Sequence, residues 1–171
     1  MITLRYVRTM AAYNSELNRR TYAAADTLTE AQRQEDAGAF FKSLHGTLCH
    51  LLWADHGWMS RFAGWELPPV GIAVSAGWVT DWTELRERRN ATDARLESWA
   101  AALTEADIQG DLHWFSGAAQ RDMVRPRWLT IAHMFNHQTH HRGQAHALLT
   151  RFGVRTEATD LPFVLPAEAY A

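Results

Sequence analysis

Four stretches of this chain set apolar residues at steps of three and four, with glycine or proline breaks between them. Such a chain has to be built from long helices packed through their apolar faces. The first runs from Thr3, a plausible N-cap, to about Asp26 and keeps its period through Leu4, Val7, Met10, Ala11, Leu17 and Ala24. Asn14 and Asn18 lie near its inward face, where they read either as a solvated edge or as amides serving a buried site. The second runs from Ser43 through Leu44, Leu48, Leu51, Leu52, Met59 and Phe62 to Gly64, a residue type suited to the left-handed step past a helix end. The third opens on Asp81-Trp82-Thr83-Glu84, which resembles a capping box, and continues to Leu103. Its charge run Arg86 to Arg89 reads as a solvated face. The fourth has Pro126 in its first turn and ends at Gly153.

The connections carry their own signals. Thr29-Glu30-Ala31-Gln32 predicts a short capped turn, and Phe40-Phe41 packs the link that follows. Residues 65–80, with Pro68-Pro69, Gly71 and Gly77, predict an ordered surface loop whose Trp65 and Trp78 are placed to close over a site. Between Gly110 and Arg125 a Ser116-Gly117 turn flanked by apolar residues predicts a small hairpin, with an irregular insertion as the alternative. The segment Leu161–Pro166 wraps back on the bundle. The expected fold is all-α: one domain over residues 1–171, a four-helix bundle with that hairpin or insertion before the last long helix.

Composition narrows the function. No apolar run approaches the roughly 18 residues of a membrane helix, and the start lacks the order of a secretory signal, so a cytoplasmic protein with no membrane partner is expected. A net charge of −2 without a basic run gives no footprint for nucleic acid. The single cysteine, Cys49, excludes an intrachain disulfide and reads as a small buried residue.

Five of the nine histidines fall between His133 and His146, inside the fourth helix. Residues four apart on a helix stand about 5–6 Å apart, so His137 and His141 can turn two imidazoles to one ion. His133 continues that row, whereas His140 and His146 project elsewhere. Two ligands are too few for a divalent site, and a third has to come from another helix. His50, mid-way along the second helix, reads alone as a core histidine; set beside a two-imidazole row it completes a three-histidine site with an open position. Asp55 reads as an acceptor behind the ligands or as a helix–helix hydrogen bond. A zinc-peptidase motif needs Glu directly after the first histidine of the pair, and Gln138 stands there.

Ser43-Leu44-His45-Gly46-Thr47-Leu48-Cys49-His50-Leu51-Leu52-Trp53-Ala54-Asp55, followed by Trp58 and Arg61, and Asn136-His137-Gln138-Thr139-His140-His141-Arg142-Gly143-Gln144 resemble the DinB-like, YfiT-type metal-binding four-helix bundle family. The resemblance extends to Tyr13-Asn14 and Asn18 and to Thr159-Asp160-Leu161-Pro162. It implies a divalent ion, nickel or zinc, held by His50, His137 and His141, and a homodimer, for which the eight tryptophans supply apolar surface. It also implies a small-molecule substrate such as a low-molecular-weight thiol. The expected activity is that of a metal-dependent thiol S-transferase or related thiol-using enzyme. A metal-dependent hydrolase, or a non-catalytic metal-binding or structural module, is the alternative. The sequence assigns no catalytic residue; His50, His137 and His141 are assigned as metal ligands only.

Overall fold

The computed structural model describes residues 2–169. Four long helices form the bundle: α1 (Leu4–Asp26), α3 (Leu44–Ala63), α4 (Trp82–Ala102) and α5 (Arg127–Arg151), with the short α2 (Glu30–Gln34) after the first and α6 (Leu161–Val164) near the end. The starts of α1, α2, α3 and α4 are built by side chains that accept the otherwise orphaned amides of a first turn. Thr3 accepts from Tyr6, Ser43 from Gly46, Asp81 from Glu84, and Thr29 forms a reciprocal capping box with Gln32. Gly64 ends α3 with φ +65°, the left-handed conformation that its lack of a Cβ permits. Among the described residues no helix is long and apolar enough to cross a membrane.

The insertion before α5 is a hairpin, so the fold is mostly helical rather than purely all-α. Strands β1 (Asp111–Ser116) and β2 (Arg121–Pro126) pair antiparallel with Ser116 opposite Arg121. The turn occupies residues 117–120, one step later than the sequence suggests, with Gln120 at φ +51°. Pro126 closes β2 and sits at the N-cap of α5 instead of inside its first turn; its extended ψ of 131° belongs to the strand.

Around the bundle α1 packs against α4 and α5, while α3 packs against α5 and α4. One apolar cluster, with Leu44, Leu48, Leu52, Leu85 and Leu149, fills one part of the interior; another, with Val7, Met59, Leu96, Ile131 and Phe135, fills a second. Each such side chain contributes about 1.5–3 kcal/mol through removal from water. Direct packing of α3 on α5 faces His50 towards the histidine row.

Between the clusters the inward faces are polar. Arg89 is 1% exposed, which corrects the expectation of a solvated Arg86–Arg89 face. Only Arg86 and Arg88 of the paired arginines there point outward, to Asp26 and Glu84. Arg89 lies four residues after the buried Leu85 and seven before the buried Leu96, which is the inward phase of α4. Its guanidinium donates to Asp55 Oδ2 and Asp93 Oδ1, both at 2.6 Å. Burial opposes its charge, but the Asp93 and Asp55 carboxylates outweigh that and hold it protonated. Asn14 and Asn18 are likewise buried and not a solvated edge: both donate to Asp93, and the Asn14 carbonyl accepts from the buried Arg142. Asp55 completes a helix–helix bond by accepting from Gln138 of α5 at 2.8 Å. Two buried carboxylates and two buried guanidiniums thus tie four helices together at the level of the histidines.

Candidate metal centre

His50 on α3 and His137 and His141 on α5 converge, with one potential ligand atom from each lying within 4.8 Å of the others. The His137 Nε2 is 3.4 Å from His50 Nε2 and 3.0 Å from His141 Nε2. Other groups decide which ring nitrogens carry protons. Ser75 Oγ spends its one proton on the Ile72 carbonyl, so towards His50 Nδ1, 2.8 Å away, it accepts. That places the His50 proton on Nδ1 and leaves a lone pair on Nε2. Gln144 Oε1 accepts from His141 Nδ1 at 2.7 Å with the same consequence. The His137 Nδ1 is buried without a partner. Since His137 Nε2 can offer at most one proton, two lone pairs facing it cannot both be satisfied within the protein. A cation held by His50, His137 and His141 would satisfy them together, and three neutral imidazoles suit a first-row divalent ion.

Burial keeps the imidazoles neutral. It lowers His50 to about 4, with the nearby His141 adding to the shift, and lowers His137 to about 3, helped by His141 and His50. His141 is lowered as well, again chiefly by burial. The folded values lie below the unfolded histidine value of about 6.5, so these groups contribute stability above that pH and lose it as protons bind. The thermal midpoint of the metal-free protein is therefore expected to fall as pH drops from about 6.5 towards about 4. A scan of the His50→Gln, His137→Gln double variant should be flatter through that range, and equal slopes would refute the assignment.

The remaining histidines of the cluster behave differently. His133 lies near the row, its ring 5.9 Å from that of His137, but offers no atom to the convergent set. His140 accepts from Gln144, and His146 meets Thr156 beyond the site. Cys49 is buried, bonded to the Ser75 carbonyl and the Val79 amide, away from the three imidazoles as its helical phase requires.

Several contacts at the centre escape sequence reasoning. The ring of Phe41 stacks on His50 with centroids 3.9 Å apart. The link that carries it crosses so close to α3 that a Cβ on Gly46 would stand 2.5 Å from the Phe41 carbonyl oxygen. Ser75 comes from a 3-10 turn at Ile72–Gly77, and no spacing in the sequence points to it. Gln144 could have been found, because it follows His141 by three residues on one helix. Trp65 and Trp78 do not close over the centre; their rings flank His56, with Arg95 and Arg88 stacked upon them.

The histidines open into a cavity of about 730 Å³. Phe41, Trp53 and Trp58 bound it from the helical side, Trp114 and Phe115 from the hairpin, and Leu67 from the loop. Among the described residues no Asp or Glu lines it.

A mostly helical four-helix bundle with a convergent three-histidine cluster at the floor of an apolar cavity is the class of protein this geometry defines. The chain belongs to the DinB family, whose model matches residues 1–169. It is similar in structure to YfiT from Bacillus subtilis, with a TM-score of 0.65 at 13% identity, covering 91% of this chain and 92% of that one. YfiT is described as a probable metal-dependent hydrolase with an unusual four-helix bundle topology. No protein of curated function matches the sequence.

Proposed function

We propose that the protein is a metal-dependent enzyme of thiol chemistry, a thiol S-transferase or a close variant, with a nickel or zinc ion held by His50, His137 and His141. The observation that carries this reading is the cavity wall. It brings aromatic and aliphatic side chains up to the histidines and no carboxylate to serve as a general base. A divalent ion in the cluster would lower the pKa of a substrate thiol, so that the nucleophile forms without a strong protein base. The residues do the rest. Phe41 and Trp53 pack against His50 and keep water from its ring. The His133 imidazole, lowered by burial and so neutral near pH about 7, stands beside His137 in the wall and accepts the thiol proton. The sulfur then bonds to an electrophilic carbon, whose leaving group takes the electron pair of the broken bond.

A hydrolase is the second reading, favoured by the likeness to YfiT, and it would use His133 as the base for water. A panel of thiols with electrophiles, run beside esters and amides on metal-loaded protein, separates the two. Turnover of a thiol pair that is lost in His137→Ala without loss of helical signal supports the transferase; hydrolysis without thiol supports the alternative. Absence of any turnover leaves the non-catalytic metal-binding module as the better account.

We also propose a homodimer. Phe40, Leu67 and Phe115, each more than half exposed, gather along the cavity wall, and contiguous exposed apolar surface is the kind a second copy of the chain can cover. Sedimentation at micromolar concentration should give twice the 19.4 kDa chain mass, and a monomer mass would overturn it.

A further inference from the structure

Arg61 is a charge in the cavity that the histidine centre does not use. It lies on α3 eleven residues after His50, a separation that returns a side chain to the same helical face three turns on, with the Cα atoms about 16 Å apart. Both residues line the cavity, as do Ala54, Gly57 and Trp58 between them. A Cβ built on Gly57 meets nothing within 4 Å, so the floor between the two ends is open. The guanidinium rests 4.7 Å from the centre of the Trp58 ring and 5.9 Å from that of Trp114. Among the described residues no carboxylate pairs with it, and burial alone pushes its pKa down. The other titratable groups in the wall are all histidines. A partly desolvated guanidinium with no counter-charge is costly to keep, and its five donors match the two oxygens of a carboxylate.

We propose that Arg61 anchors the carboxylate of a small organic acid, whose apolar body lies over Gly57 between α3 and the hairpin and whose reacting end reaches the histidine centre. The inference rests on the reading of the cavity as the substrate site and assigns the class of substrate. The Cα separation is about 16 Å, and the Arg61 and His50 side chains with the acid's own carboxylate take up part of that length, which suits an acid of one aromatic ring on a short chain. A single guanidinium balances one negative charge. A phosphate dianion would keep an uncompensated charge against apolar walls.

The test is calorimetry of the full-length protein, metal-stripped and metal-loaded, with 4-phenylbutyrate, its neutral amide and an arylalkyl phosphate of the same length. The wild type is expected to bind the acid about ten- to hundredfold more tightly than the amide, the range of a charge-assisted hydrogen-bonded pair, and more tightly than the phosphate. Arg61→Met should bind acid and amide alike, and Arg61→Lys should retain part of the preference. Equal binding of acid and amide by the wild type, or binding of neither at millimolar concentration, overturns the proposal without recourse to any variant. So does an acid preference that survives in folded Arg61→Met, which would assign the anion to the histidines. In His137→Ala the preference should persist while metal and turnover are lost, so failure of the thiol mechanism and failure of the anchor give different results.

Discussion

His137→Ala is expected to lose its metal outright, a larger effect than any change outside the three converging histidines. His137 stands between the other two imidazoles, and its removal leaves His50 and His141 as a two-ligand site. The loss in affinity should exceed the roughly 10–100-fold that removal of a supporting group costs. His50→Ala and His141→Ala should behave alike, whereas His133→Ala, His140→Ala and His146→Ala keep the ion, because none of these offers an atom to the convergent set. Elemental analysis after dialysis against a weak chelator reads the result. Full stoichiometry in the His141 variant would sink the three-ligand assignment.

The second large effect belongs to stability. Arg89→Met removes one guanidinium and leaves the Asp55 and Asp93 carboxylates buried beside each other without it. Breaking a buried pair in this way costs about 3–5 kcal/mol, equivalent to a fall in thermal midpoint of about 6–20 °C for a chain of this size. Arg86→Met, three residues earlier, breaks only an exposed pair with Asp26 and should cost under about 1 kcal/mol. Urea unfolding of the two variants compares them directly, and equal losses would show that the buried network is not load-sharing. Metal affinity should also fall in Arg89→Met, because Asp55 holds Gln138 and Gln138 adjoins His137 on α5.

The contrast between Arg86 and Arg89 also shows what could be read from the sequence. Four long helices, and the capped starts of α1, α2 and α4, are legible because apolar period and capping side chains are local signals. The three histidines were legible because His137 and His141 share a helical face and the family resemblance supplies His50. Charge alone puts the Arg86–Arg89 run on the solvent face, although the spacing Leu85, Arg89, Leu96 already puts Arg89 in the buried phase. Asp93, Asn14 and Asn18 follow from the same correction, since a buried cation needs acceptors on the faces packed against it. Ser75 was beyond reach. Its hydroxyl meets His50 across a loop whose path is set by tertiary packing, and no local pattern marks one serine of a glycine-rich turn as the group that selects a tautomer. The apolar cavity was equally hidden, because it forms only when the hairpin closes over α3.

That hairpin divides labour within the molecule. The imidazoles and their supports come from α3, α5 and one turn, all bound into the charged interior, where any substitution disturbs several partners. Trp114, Phe115 and the residues of the turn reach the same cavity from a two-stranded arm whose other side chains are largely exposed. Such an arm can be exchanged, lengthened or recharged while the helices keep their register. In a directed-evolution library, randomising residues 115–118, which leaves Trp114 packed on the core, should change which co-substrate is accepted while leaving metal content and melting behaviour as they were, which makes the tip of the arm the natural handle for engineering new selectivity on this scaffold.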